Sequence, residues 1–133
     1  MLHKDYLLEI ISRFVESVSV ALKRALFEHD MGAAQDVEDS VAALLDLDPS
    51  TAMSLSPDSL VTMLILSGIG DSLASYVAYA LDKVGDAYDD DGDGATAALR
   101  WDQAEAIAES FGCDQSEVPP EFAELDGVLS AVE

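Results

Sequence analysis

Apolar residues recur at steps of three and four along most of the chain, the spacing of one face of an α-helix. Between Lys4 and Phe27 they fall at Leu7, Ile10, Ile11, Phe14, Val18, Leu22 and Leu26, a single stripe on one long helix. Glu28-His29-Asp30 interrupts it. A second helix fits Gly32 to about Asp46, with Val37, Val41, Leu44 and Leu45 on its apolar side. Pro49 cannot continue that helix, because it lacks an amide hydrogen and pushes the preceding residue out of helical geometry. The stretch Asp48 to Leu55 therefore reads as a connector.

Ser56-Pro57-Asp58 is a helix start, with a serine cap, proline at the first helical position and an acid in the first turn. Leu60 to Leu66 follows as a short, nearly all-apolar helix, expected to be buried on most sides. Gly68 and Gly70 end it, and Asp71 or Ser72 caps a fourth helix that runs to about Asp89. That helix carries Leu73, Tyr76, Val77, Ala80, Leu81, Val84 and Tyr88 at helical spacing. The acidic turn Asp90 to Gly94 leads to a fifth helix with Ala97, Trp101, Ala104, Ala108 and Phe111, closed by Gly112. Pro119-Pro120 opens a last, short helix through Phe122, Leu125 and Leu129. No segment alternates with period two, so no strand is expected. The pattern predicts an all-α fold of five to six helices in a single domain.

Composition narrows this picture. At 133 residues, half of them hydrophobic, the chain is long enough for one core and too apolar to be disordered, despite a net charge of -21. The single cysteine, Cys113, cannot form an internal disulfide, so nothing points to an oxidising compartment. Glu9 and Arg13 interrupt the N-terminal apolar run, and Val61 to Ile69 is far shorter than the roughly 20 residues of a membrane span. A cytoplasmic protein with no membrane association is the expectation.

The charge is unevenly spread. Lys4, Arg13, Lys23 and Arg24 face three acids in the first 24 residues, a net of +1, whereas the remainder carries 24 acids against Lys83 and Arg100, a net of -22. Such a field repels nucleic-acid phosphates and anionic lipid, which excludes both as partners. It favours a basic partner, although an acidic surface is also the habit of whole proteomes from salty habitats.

The fourth and fifth helices carry the most specific pattern. Leu81, Val84-Gly85, Tyr88, Gly92, Ala97, Trp101 and Ala104 stand at the offsets of the tetratricopeptide signature, so residues 72–111 resemble one such helical hairpin. Gly85 and Ala97 are small where two antiparallel helices must approach, and Tyr88, Trp101 and Ala104 fill the seam. The usual closing proline is replaced by Glu109. A weaker hairpin over 8–47 lacks the Gly-Tyr pair, with Ala25 and Glu28 in its place, and residues 113–133 form a C-terminal extension. An ordinary helical bundle produces similar spacings. Over roughly residues 4 to 112 the chain also resembles a family of uncharacterised bacterial proteins, a domain of unknown function of tetratricopeptide-like character. Asp5-Tyr6, Leu45-Asp46-Leu47-Asp48, Leu55-Ser56 and Gly92-Asp93 carry the likeness. It implies a fold and no chemistry.

Asp89-Asp90-Asp91-Gly92-Asp93-Gly94 matches the first half of a calcium-binding EF-hand loop, with Asp89, Asp91 and Asp93 as candidate ligands. The twelfth position, where a bidentate acid belongs, is Arg100, and Thr96 replaces the usual bulky apolar residue at the eighth. An acidic, solvated turn is the competing reading. His3 and His29 are too few and too far apart for a zinc site. Gly68-Ile69-Gly70 lacks the third glycine and preceding strand of a phosphate loop. No catalytic residue set and no cofactor are expected.

In the tetratricopeptide register, the ligand-facing positions of the fourth helix are Asp82, Asp86 and Asp89, whose spacing puts them on one face. That face is either solvated or awaits a cation. The expected function is thus a non-catalytic protein-interaction module for a protein or Lys/Arg-rich peptide. Two alternatives stand beside it: a self-associating homodimer through the amphipathic first helix, and a weak calcium-binding protein.

Overall fold

The structure, a computed structural model, describes residues 2–68 and 70–131, with side chains from Tyr6 onward. Ile69, the side chains of His3, Lys4 and Asp5, and the last two residues of the C-terminal extension lie outside the described residues. All regular structure among the described residues is helical: α1 (Leu2–Phe27), α2 (Met31–Leu44), α3 (Pro49–Met53), α4 (Pro57–Leu66), α5 (Gly70–Asp90), α6 (Gly94–Ser110), a 3-10 turn (Pro120–Phe122) and α7 (Ala123–Ser130).

Helix ends follow side-chain chemistry. Asp30 accepts from the Ala33 amide at 3.2 Å to cap α2, and its other oxygen holds Arg24 at 2.7 Å, closing the α1–α2 corner. Ser56 caps α4 through the Ser59 amide at 3.2 Å, as its Ser-Pro start predicts. The same chemistry acts one helix earlier, where Asp48 caps and Pro49 opens α3. The connector expected over Asp48 to Leu55 therefore contains a one-turn helix. Pro49 ends nothing there; it sits at a first helical position, where its missing amide hydrogen costs no bond.

α5 is the central element, packed against α1, α2, α4 and α6, and it buries Leu73, Val77, Leu81 and Val84 among others. The stripe on α1 meets it and α2 through Phe14, Val18, Leu22 and Ala25. α4 buries only Leu60, Val61 and Leu64; Ile65 and Leu66 face solvent, so the expectation of burial on most sides is corrected. A ten-residue helix packed on one side leaves its opposite face uncovered, however apolar that face is.

α5 and α6 form an antiparallel hairpin. Gly92, at φ +86°, takes the left-handed conformation that ends α5, and Asp93 then caps α6. Halfway along the pair, Gly85 lies against the indole of Trp101, and a Cβ built on Gly85 would stand 2.5 Å from Trp101 Cδ1. The closeness lets Trp101 Nε1 donate to both the Asp82 carbonyl oxygen and Asp86 Oδ1, each at 3.1 Å. The C-terminal extension returns across this assembly: Phe122 is fully buried and stacks on Tyr79 with ring centroids 4.7 Å apart. Burying a phenylalanine contributes roughly 2–3 kcal/mol, which pins the extension to α5.

Gly85→Ala forces the indole or the helix to shift and is expected to cost about 1–3 kcal/mol in urea unfolding. In a Trp101→Leu background the same change should be neutral or stabilising by up to about 1 kcal/mol, through helix propensity. Equal costs in both backgrounds would refute the close-approach role of Gly85.

Candidate acidic cleft

α5 exposes its polar residues toward the ends of α1 and α7, and there the chain forms a cleft of about 350 Å³. Leu26 and Phe27 of α1 and Leu129 of α7 form its apolar walls; Asp86, Asp89 and Asp90 supply three carboxylates. Lys83 is its cation, placed 3.9 Å from both Asp86 Oδ2 and Asp126 Oδ1 and 5.5 Å above the Tyr79 ring. Tyr79 in turn donates its hydroxyl to Asp126 Oδ1 at 2.9 Å. The short helix α7 thus shapes the cleft and shares its one lysine.

Of the three acids that helical spacing puts on one face, the structure brings two together in the cleft. Asp86 and Asp89 line it, while Asp82 lines a smaller hollow of about 40 Å³ on the other flank, beside Ala108, Cys113 and Glu117. Helical spacing alone could not separate them, because the boundary is drawn by residues from α1, α7 and the 113–119 segment. Asp90, Lys83 and Leu129 were not legible as site residues for the same reason. Only the acid-rich end of the fourth helix hinted at Asp90.

Burial raises the carboxyl of Asp82 above its ordinary value of 3.8, with Lys83 opposing. Asp86 is raised too, first by burial and then by the charge of Asp82, while Lys83 and the Trp101 hydrogen bond pull it back. Capping acids move the other way: Asp93 is lowered by the Thr96 amide and hydroxyl.

The candidate calcium loop is occupied with its own backbone. Asp93 Oδ1 accepts from the Thr96 amide at 3.1 Å and Oδ2 from the Thr96 hydroxyl at 2.8 Å, while Asp89 and Asp91 face solvent. Among the described residues, no three His, Cys, Asp or Glu side chains converge as a metal-ligand set. Arg100 pairs with no carboxylate of the loop, although its charge helps to lower Asp93. It is buried, donating from Nε to Glu38 Oε2 at 2.6 Å and from Nη1 to the Met53 carbonyl at 2.9 Å and to Gln103 Oε1 at 3.1 Å. Glu38 also accepts from the Tyr88 hydroxyl at 3.0 Å. Cys113 is half-buried, and burial pushes its thiol up, away from the thiolate that nucleophilic chemistry requires.

Comparison with known protein families, characterised proteins and solved structures finds no match to this chain.

The raised carboxyls set the sign of a pH dependence. A folded-state acid with a raised pKa stabilises below the unfolded value and loses that contribution as pH rises through the folded value. Asp82 and Asp86 therefore weaken the fold as pH climbs from about 4 toward neutrality. The lowered capping acids stabilise only above that range's floor and are lost below it. Stability should peak on the acid side of neutrality, and Asp82→Asn/Asp86→Asn should flatten the rise between pH 7 and the peak. A melting temperature that falls steadily on acidification from pH 7 would contradict the assignment.

Proposed function

We propose that this chain is a non-catalytic protein-interaction module whose acidic cleft takes a Lys- or Arg-bearing segment of a partner. The observation that carries this reading is the convergence of Asp86, Asp89 and Asp90 on one apolar-walled cleft whose lysine is already shared with Asp126. Leu26, Phe27 and Leu129 suit the aliphatic stem of a lysine or arginine, and the carboxylates suit its head. Half-burial of Asp86 makes its charge costly in the free protein, so an arriving cation gains what solvent does not supply. The Gly85–Trp101 seam supports the tetratricopeptide-like reading of the hairpin, a fold type built to present helix faces to peptides. No helix among the described residues is long and apolar enough to cross a membrane. That supports a cytoplasmic setting, as the lone Cys113 does.

Calorimetric titration with a Lys/Arg-rich peptide tests the reading. Binding should weaken sharply with salt, since exposed charges are screened over a Debye length of about 8–10 Å. Asp86→Lys/Asp89→Lys should reduce affinity at least about tenfold, and Asp82→Asn should leave it nearly unchanged. Affinity should also rise with pH as Asp86, held above the ordinary carboxylate range by burial, ionises. Salt-independent binding, or binding indifferent to the Asp86/Asp89 reversal, would overturn it.

A further inference from the structure

A second surface has a different character. Four of the seven large hydrophobic side chains exposed among the described residues, Tyr6, Leu8, Val20 and Phe27, belong to α1, and Val20 is 58% exposed. Tyr6, Arg13, Val20 and Phe27 are spaced by seven, so they form one line along the solvent face of the helix, about 32 Å from end to end. This face is also where the chain is not acidic. Its exposed charges are Glu9 and Glu16 against Arg13, Lys23 and Arg24, in a protein of net charge -21. Two copies meeting on the acid-rich surfaces would bring like charges together; meeting here, they do not.

The line is complementary to itself when reversed. Turned antiparallel about a point between Glu16 and Ser17, Tyr6 meets Phe27, Arg13 meets Val20, and Glu9 comes opposite Lys23 and Arg24. Arg13 and Arg24 already have partners within the chain, Glu9 and Asp30, but Lys23 is exposed with no ion pair among the described residues. We infer that α1 is a docking surface for a second copy of this chain, paired antiparallel with its mate across a two-fold axis through the centre of the helix. An isologous interface requires such self-complementarity, and heptad-spaced apolar residues, here Tyr6, Val20 and Phe27, with charges of both signs beside them are how helices pair. The contact uses the helix face rather than the acidic cleft, and the two share only Phe27. Each copy therefore keeps its cleft at the rim of the interface.

Sedimentation equilibrium of the full chain at roughly 100 µM and physiological salt reads this directly. The expected result is a species of twice the 14.1 kDa chain mass. Val20→Asp should return it to one chain with its helical circular dichroism unchanged, because Val20 is mostly exposed and outside the buried core. Glu9→Arg should weaken dimerisation about tenfold, since like charges then meet twice across the axis, and Glu9→Arg/Lys23→Glu should restore it. A wild-type chain that sediments as a monomer overturns the inference. So does a dimer that survives Val20→Asp, or a charge swap that restores nothing. The peptide titration of Glu9→Arg keeps the two proposals apart, because Glu9 lies at the opposite end of α1 from the cleft.

Discussion

A single guanidinium joins the two halves of this molecule. Arg100, on α6, reaches through the interior to Glu38 on α2 and to the Met53 carbonyl at the end of α3, contacts separated by 62 and 47 residues in sequence. Gln103, one turn further on, donates to the Met53 and Leu55 carbonyls at 3.3 and 3.0 Å. The short α3 therefore ends against α6 with its last carbonyls satisfied, instead of ending in solvent. Tyr88 of α5 completes the cluster from the other side of Glu38. Among the described residues no buried side-chain nitrogen or oxygen lacks a partner. A buried ion pair of this kind contributes little against a well-packed apolar pair, but half of one is strongly destabilising. It therefore ties α2 and α3 to α6, beside the direct packing of α5 on α1, α2, α4 and α6.

That constraint explains how the acidic cleft arises in a protein whose core is built mainly from Ala, Val and Leu. With α6 held on one side of α5 and α1 on another, the end of α5 is left between the end of α1 and the returning extension. The extension is pinned by Phe122, and its Asp126 draws Lys83 aside. Charge and packing cooperate at this point: the core positions the helix ends, and the excess of carboxylates decides their chemistry. α1, nearly neutral along its solvent face, has both apolar and basic residues on its exposed side. The two proposed surfaces thus correspond to the two regions into which the charge of the chain divides.

Much of this was legible in the sequence, and the exceptions share a cause. Ser56-Pro57, Gly92, Gly112 and the stripe from Leu7 to Leu26 are local signals, and each marks the element it suggests. Gly85 opposite Trp101 was legible because a tight hairpin keeps its partners close in sequence. What spacing could not supply is the identity of the neighbour. Arg100 reads as a loop residue when counted from Asp89, yet its partner lies 62 residues earlier. Ile65 and Leu66 read as core because they are apolar, yet no element covers them. Asp82 shares a helical face with Asp86, yet the segment after Gly112 places it in a different hollow. Two local signals were misread: Pro49 ends no helix but opens α3 behind the Asp48 cap, and α5 already begins at Gly70, so Asp71 stands in its first turn instead of capping it.

A double-mutant cycle at the buried pair tests the account most directly, with urea unfolding of Arg100→Met, Glu38→Leu and the two combined. Each single change strands a charge or its partners in the interior and should cost about 3–5 kcal/mol. The double replacement removes both charges and should cost clearly less than the sum. Additive costs, or an Arg100→Met variant within about 1 kcal/mol of the wild type, would contradict the claim that this pair holds the two halves in register.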